Sequence, residues 1–332
     1  MAQNKKLTID DIAKELNISK TTVSRAISGK GRIGQKTVDK VMEYIKQNDY
    51  HPNALAKGLA QSRTFNIGFV MPSDYNNFPF FHKCMWGIST VASGQDYDVI
   101  ISMVKDDDIS QLARLIDNHK VDGIILGRTL EKDEPEAYLK SKGIPFVTVG
   151  SSLDDTVVQI DNDHIGACCE LTTNLLQSGM SKIALVGGNM GHIVNQKRLE
   201  GYKAAFEKAG VPLDKKLLYP DTDKVTNIEK IVDELLTKKV ECILCMDDSI
   251  CSYVLNKLSR DHIRIPEDVK VASFYNSSLL AHNQPAITAL QFDVTEMGMV
   301  CCSKLLSLIA QEETERKTLL GYEVAMREST QV

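Results

Sequence analysis

The hydrophobic rhythm of this chain changes once, near residue 65, and that change separates two kinds of structure. Before it, apolar residues recur at helical spacing. Ile9, Ile12, Ala13 and Leu16 make one face of a first helix. Asn17-Ile18-Ser19 interrupts the pattern, and Ser19 is placed to cap a second helix, Lys20–Ser28, with Val23, Ala26 and Ile27 as its short apolar face. Gly29, Gly31 and Gly34 mark a loop. A third helix over 35–48 turns Val38, Val41, Met42 and Ile45 inward, and Tyr50-His51-Pro52 ends it. After Phe65, short β-rich runs at 66–71, 97–103, 123–126, 145–149, 157–160, 182–186, 242–246 and 269–274 alternate with helical stretches. That alternation means βαβ units and parallel sheets, and the runs are too many for one compact sheet, so two subdomains are expected. A crossover strand over 288–292 precedes a helix over 294–311, and 319–327 reads as one closing strand.

Charge follows the same division. The chain is acidic overall, with a net charge of −5, yet its first 63 residues carry 12 Lys+Arg against 6 Asp+Glu, leaving 27 against 38 for the rest. A basic head on an acidic body suits a polyanion-binding module. The eight cysteines include the adjacent pairs Cys168–Cys169 and Cys301–Cys302 and a CxxC, Cys242 to Cys245, inside an apolar run. No second ligand pair accompanies them, so buried, reduced, structural thiols are expected and no metal. No apolar run approaches the ~18 residues of a membrane span, and the first residues lack an apolar signal core, so the expected compartment is the cytoplasm. No P-loop, GxGxxG after a strand, GxSxG or HExxH is present, so an enzyme is not expected, nor a cofactor.

Helix, short turn, helix is the arrangement that presents a recognition helix to DNA. The second helix offers Lys20, Thr21, Thr22, Ser24, Arg25 and Ser28. Hydroxyls suit phosphate oxygens, and an arginine pairs with O6 and N7 of guanine. Periodicity alone fits any three-helix bundle.

Residue identities go further. Leu7-Thr8-Ile9-Asp10-Asp11-Ile12-Ala13, Ile18-Ser19-Lys20-Thr21-Thr22-Val23-Ser24-Arg25-Ala26-Ile27-Ser28 and Tyr50-His51-Pro52-Asn53-Ala54-Leu55-Ala56 strongly resemble the LacI/GalR family of bacterial repressors. The resemblance implies that Lys20, Thr21 and Arg25 read bases. Thr8, Ser19, Thr22, Ser24, Asn53 and the stretch 34–37 would touch the backbone, with Ser28 and Arg32 completing the DNA-facing set. After Pro52 it implies a hinge helix that Asn53 caps. That helix folds when two copies pair in the minor groove, with Leu59 wedged into a base step and Ala56 against the groove floor. The alternative for Leu59 is packing against the body. The implied organisation is a helix-turn-helix domain at 1–52, a hinge at 53–63 and an effector-binding core at 64–332. Its fold class is an all-α headpiece followed by an α/β core of two doubly wound parallel-sheet lobes. The first lobe would hold about 64–160 plus 292–320, and the second about 161–290 plus 321–332.

The body resembles the periplasmic-binding-protein-like core of that family, with ligand beyond the carboxyl ends of strands. The loop that contains Tyr75 runs into Phe80 and Phe81, of which Phe80 is the better stacking candidate, with core packing as the competing role. Arg128 follows the third strand and Asp161 the fifth. Arg198, in Arg198-Leu199-Glu200-Gly201-Tyr202, matches the family's effector-binding arginine; a lobe-surface ion pair is the alternative. Asp247 ends a later strand. Ser273-Phe274-Tyr275-Asn276 stands where the family shows Gly-(Tyr/Phe)-Asp, and Phe292 occupies a position that is often polar. An aromatic pocket with Asp161, Asp247 and Arg198 suits a sugar, and would also suit a nucleobase. The expected partners are a palindromic double-stranded DNA operator, a small-molecule effector and a second copy of the chain, with no membrane. A transport-type binding protein and a catabolite regulator coupled to a phosphorylated carrier protein are the rival readings.

Overall fold

A computed structural model describes residues 7–29, 31–50, 58, 61–73, 78–105, 108–222 and 224–331. The chain forms two compact units, 1–64 and 65–332.

The first unit holds helices Ile9–Glu15, Lys20–Ser28 and Gln35–Gln47. Thr8 and Asp11 form a reciprocal capping box: Asp11 N–H donates to Thr8 Oγ1 at 3.2 Å, and Thr8 N–H donates to Asp11 Oδ2 at 3.0 Å. Ser19 caps the second helix by accepting from Thr22 N–H at 3.1 Å, and Gly29 ends it in the left-handed region at φ 66°. Ile12, Val23 and Val41 are fully buried at the centre, with Ile27, Val38 and Ile45 partly buried around them. Met42, expected inward, is 48% exposed. It sits one residue past Val41, which already fills the inward position of a 13-residue helix facing two short partners. Asn48 is the C-cap of that helix and not part of it. The proposed hinge positions Asn53, Ala56 and Leu59 lie outside the described residues.

The second unit contains two six-stranded sheets. The first has the order β11-β5-β4-β3-β1-β2, with β1 Asn66–Pro72, β2 Asp98–Val104, β3 Gly123–Leu126, β4 Phe146–Val149, β5 Val158–Asn162 and β11 Lys317–Leu320, all parallel. The second has the order β12-β10-β9-β8-β6-β7, with β6 Ile183–Val186, β7 Leu218–Tyr219, β8 Cys242–Cys245, β9 Lys270–Ser273, β10 Thr288–Gln291 and β12 Glu323–Ala325. Only β12 runs antiparallel to its neighbour. The single closing strand read at 319–327 is therefore two strands, one in each sheet, separated by Gly321 and Tyr322. Apolar continuity through Leu319, Leu320 and Val324 concealed the break. β7, two residues long, carries too little pattern to be seen in the sequence.

The chain crosses between the sheets three times, after β5, after β10 and between β11 and β12. The helix Val294–Ile309 that follows β10 returns to pack on β3, β4 and β5 and along the helix Phe78–Ser93. Glycines bring those two helices close. A Cβ at Gly298 would collide with the carbonyl oxygen of Cys84, and one at Gly87 with that of Thr295. All eight cysteines are free, and all but the half-buried Cys169 are buried. Burial pushes the Cys84 and Cys242 thiols up to about 12, so they behave as apolar filler.

Replacing Gly298 by Ala must push two packed helices apart. Gly298→Ala is expected to cost about 1–3 kcal/mol, read as a lower urea midpoint of the full chain. A midpoint equal to that of the unsubstituted protein would contradict this packing.

Candidate functional site

The carboxyl ends of both sheets face one another across a cavity of about 120 Å³. Each element contributes at its end, where the chain leaving the sheet lines the crevice beyond the strands. Phe80 and Phe81 come from the start of the helix after β1. Gly127 and Arg128 follow β3, and Gly150 follows β4. Asp161 and Asn162 end β5, and His164 opens the next helix. His192, Asn195 and Arg198 lie on and before the helix Ile193–Ala209. Asp247 and Asp248 follow β8, Tyr275 follows β9, and Phe292 follows β10. All the effector residues named from sequence line this cavity except Tyr75, which lies outside the described residues. A larger open groove, around residues 178–180 and 266–270, sits by the opposite ends of β8 and β9 and holds none of them.

One wall is aromatic. Phe80 meets Phe81 edge-on at 5.2 Å and Tyr275 edge-on at 6.0 Å. Tyr275 stacks parallel with Phe292 at 6.5 Å, and Phe292 meets the His164 ring at 5.0 Å. Phe81 divides its surface between this wall and the core, where it packs on Phe69 at 6.4 Å. Phe80 is less buried and belongs more to the wall. Ser273, replacing the glycine expected by family pattern, shapes the turn. Its hydroxyl donates to Tyr275 O at 2.8 Å and accepts from Tyr275 N–H at 3.2 Å, which fixes the tyrosine's position.

The polar wall is less open than the residue types suggest. Asp161 is buried, and its carboxylate is already occupied. It accepts from Ser151 Oγ at 2.7 Å, Ser151 N–H at 3.2 Å, Asn162 N–H at 2.9 Å and Lys197 Nζ at 3.0 Å. Burial works to raise its pKa, but the charges and hydrogen bonds around it outweigh burial and hold it below the usual carboxylate range. Lys197 also donates to Ser151 Oγ. Asp161 thus lines the cavity and also anchors Ser151 and Lys197 to the end of β5. Asp247 likewise caps the helix Asp248–Arg260, accepting from Ile250 N–H at 2.8 Å. Asp248 beside it is pushed up by burial.

Arg198 is buried, and one Nη donates to Asn195 Oδ1 at 3.3 Å. Asn195 is held in turn by donating to Asn189 O at 2.9 Å. Arg198 Nε, Asn162 Oδ1 and His164 Nδ1 have no hydrogen-bond partner. His164 Nε2 faces Asp161 Oδ1 at 3.4 Å. Burial, more than its charged neighbours, lowers the His164 pKa to about 4, so the ring is neutral at pH 7. His164, Asn195, Lys197 and Ser151 were not among the residues singled out from sequence. Ser151 and Lys197 carry no local signal, because their shared partner Asp161 lies 10 and 36 residues away; His164 and Asn195 stand three residues from Asp161 and Arg198, a spacing that could have pointed to them.

The two lobes are also joined by backbone. Glu131 N–H donates to Gly191 O at 2.9 Å, and Ile193 N–H to Thr129 O at 3.3 Å.

In the first unit, Lys20, Thr21, Ser24, Arg25 and Ser28 are exposed along one side of the second helix, with Arg32 exposed beyond it. Lys20 is ion-paired with Asp10. The hydroxyls of Thr8, Ser19 and Thr22 take part in the helix caps: Thr8 donates to Asp11 at 2.6 Å, and Ser19 and Thr22 share a hydrogen bond at 2.8 Å.

The profile described as "Periplasmic binding proteins and sugar binding domain of LacI family" matches residues 64–323, and that of "Bacterial regulatory proteins, lacI family" matches residues 8–53. The chain belongs to the LacI family. This LacI-family protein is 28% identical to catabolite control protein A of Staphylococcus epidermidis over 98% of its own length and 99% of the relative's. It is also 28% identical to the regulator MalR of Streptococcus pneumoniae, over 94% and 95%. Among solved structures it is similar to the regulator CelR in complex with cellobiose, at 25% identity, TM-score 0.73, and 97% and 99% coverage. It shares its fold with the lac repressor dimer bound to operator, at 19% identity, TM-score 0.78, and 98% and 99% coverage. It is a DNA-binding transcription regulator, as its relatives are, and not an enzyme. Among the described residues, no helix is long and apolar enough to cross a membrane.

Lys197 is the counter-ion for a buried carboxylate, so Lys197→Met is expected to cost roughly 3 kcal/mol at pH 7. With Asp161 depressed in the parent, its stabilisation is full above the unfolded carboxyl pKa and fades as pH falls. The variant's Asp161, lacking that cation, takes up a proton at higher pH. The gap in urea midpoint between parent and variant should therefore narrow from pH 7 to pH 4.5. A constant gap would show that Lys197 contributes packing alone.

Proposed function

We propose that this LacI-family protein binds a palindromic operator as a homodimer and represses carbohydrate-utilisation genes, with a sugar in the interlobe cavity setting its DNA affinity. The observation that carries the reading is the pairing of an aromatic wall, Phe80, Tyr275 and Phe292, with the buried donor fork of Arg198. Aromatic faces take the apolar faces of a sugar ring, and an arginine fork takes its oxygens. The cavity approaches the 150 Å³ that holds one benzene-sized ring. The match to a profile described as a sugar binding domain, and a neighbour solved with cellobiose, support a sugar over a nucleobase.

The functional division is a helix-turn-helix domain at 1–52, a hinge at 53–63 and a sensing core at 64–332. Lys20, Thr21 and Arg25 read bases. Thr8, Ser19, Thr22, Ser24, Ser28, Arg32 and Asn53 position the head on the phosphates. Ala56 and Leu59 enter the minor groove. Tyr75, Phe80, Phe81, Arg128, Arg198, Tyr275 and Phe292 surround the effector. Asp161 and Asp247 hold the frame around it.

Operator sequences selected from a random pool, followed by anisotropy titrations with and without sugars, test the reading. Arg198→Ala is expected to weaken the sugar response at least tenfold, the loss of a charged hydrogen bond. Arg25→Ala should relax base preference at one position per half-site by about 1–3 kcal/mol. A DNA affinity that responds to nucleobases and to no sugar would overturn the sugar assignment.

A further inference from the structure

Three polar atoms around the cavity lack partners, and together they constrain the effector's chemistry. The Asp161 carboxylate lies 3.4 Å from His164 Nε2 and is held ionised by Lys197. An anion beside Nε2 keeps the imidazole proton on that nitrogen, which leaves Nδ1 as a bare acceptor. Nδ1 is buried without a partner. Asn162 adds a second unpartnered acceptor, Oδ1, and Arg198 a single unpartnered donor, Nε. A buried polar atom left unsatisfied costs about 1–3 kcal/mol, so a ligand that completes all three gains heavily over one that completes only the donor. Such a ligand must donate at least twice and accept at least once. Hydroxyl groups do both, so a hydroxyl-rich ring can complete all three, whereas a ligand that only accepts cannot.

The charges agree. Arg128, Lys197 and Arg198 stand against Asp161, Asp247 and Asp248 around the site. Counted with Lys197, three cations match three carboxylates in number and His164 adds none, so the surroundings hold no excess of positive charge for an anionic ligand.

We infer that the effector is an uncharged, hydroxyl-rich sugar and not a sugar phosphate or sugar acid, and that His164 Nδ1 accepts a hydrogen bond from one of its hydroxyls. The inference rests on the sugar-responsive reading above and narrows it. Phe292 packs on the His164 ring at 5.0 Å and holds it in place, so the acceptor is rigid before the ligand arrives.

The test uses the full chain, with thermal-shift and calorimetric titrations against glucose, maltose and cellobiose on one side and glucose 6-phosphate and glucuronic acid on the other. Hypoxanthine serves as a nucleobase control. The expected result is stabilisation by a neutral sugar, with charged sugars binding at least tenfold more weakly. A charged sugar binding as tightly as any neutral one would overturn the inference and leave the sugar reading standing. Binding of hypoxanthine alone, or of none of these, would overturn both.

Two variants then test the contact itself. His164→Phe keeps a ring against Phe292 and removes the acceptor, and is expected to lose about tenfold in affinity for the neutral sugar. His164→Gln, which retains an acceptor, should recover part of that loss. Ligand-free melting of each variant reports its folding. Equal sugar affinity in the parent and a folded His164→Phe would overturn the assignment of His164. So would a folded His164→Gln that binds no better than a folded His164→Phe.

Discussion

The ion pair between Asp161 and Lys197 ties the sensing core together. Asp161 stands at the end of β5 in the first sheet, whereas Lys197 rides on a helix that packs with the second. Their contact, shared with Ser151, crosses the cleft. A carboxylate this deeply buried needs such a partner, because leaving it alone in a low-dielectric interior costs several kcal/mol. The lobes therefore cannot separate at this point without exposing the pair to water or breaking it. The two backbone hydrogen bonds between residues 129–131 and 191–193 sit beside it. The cleft has a polar clamp at one side and an aromatic wall at the other.

That clamp explains the chemistry of the cavity. With Asp161 engaged, Arg198 Nε, Asn162 Oδ1 and His164 Nδ1 remain without partners around the cavity. Because Asp161 faces His164 Nε2, the same carboxylate both joins the lobes and leaves Nδ1 as the ring's acceptor. Phe80 belongs to the first lobe, and Tyr275 to the second. Their contact at 6.0 Å makes the aromatic wall another bridge between lobes. A ligand seated against both stabilises one lobe arrangement over others, and only such a differential contact shifts a conformational population.

Much of the fold was legible because its signals are local. The periodicity of Ile9 to Leu16 and the cap at Ser19 need only neighbours a few residues away. β1, β3, β6 and β8 are continuous apolar runs, as strands covered on both faces must be. Positions at strand ends, such as Arg128, Asp247 and Phe292, follow from topology once the strands are placed. The misreadings have physical causes too. Met42 looked inward because an apolar residue at helical spacing carries no mark of which side its partners occupy. Residues 319–327 looked like one strand because the crossover between sheets is only two residues long. The engagement of Asp161 was not legible because it depends on Ser151 and Lys197, which lie 10 and 36 residues away. Spacing in sequence says nothing about a pairing of that reach.

If a sugar in the interlobe cavity sets DNA affinity, its binding and attachment to DNA are one coupled equilibrium. Coupling of this kind is reciprocal. The most direct measurement is therefore a closed cycle: operator affinity with and without saturating sugar, and sugar affinity with and without saturating operator. Both ratios are expected to be equal and to depart from one by about fivefold or more. A sugar that binds the cavity while leaving both ratios at one would contradict it.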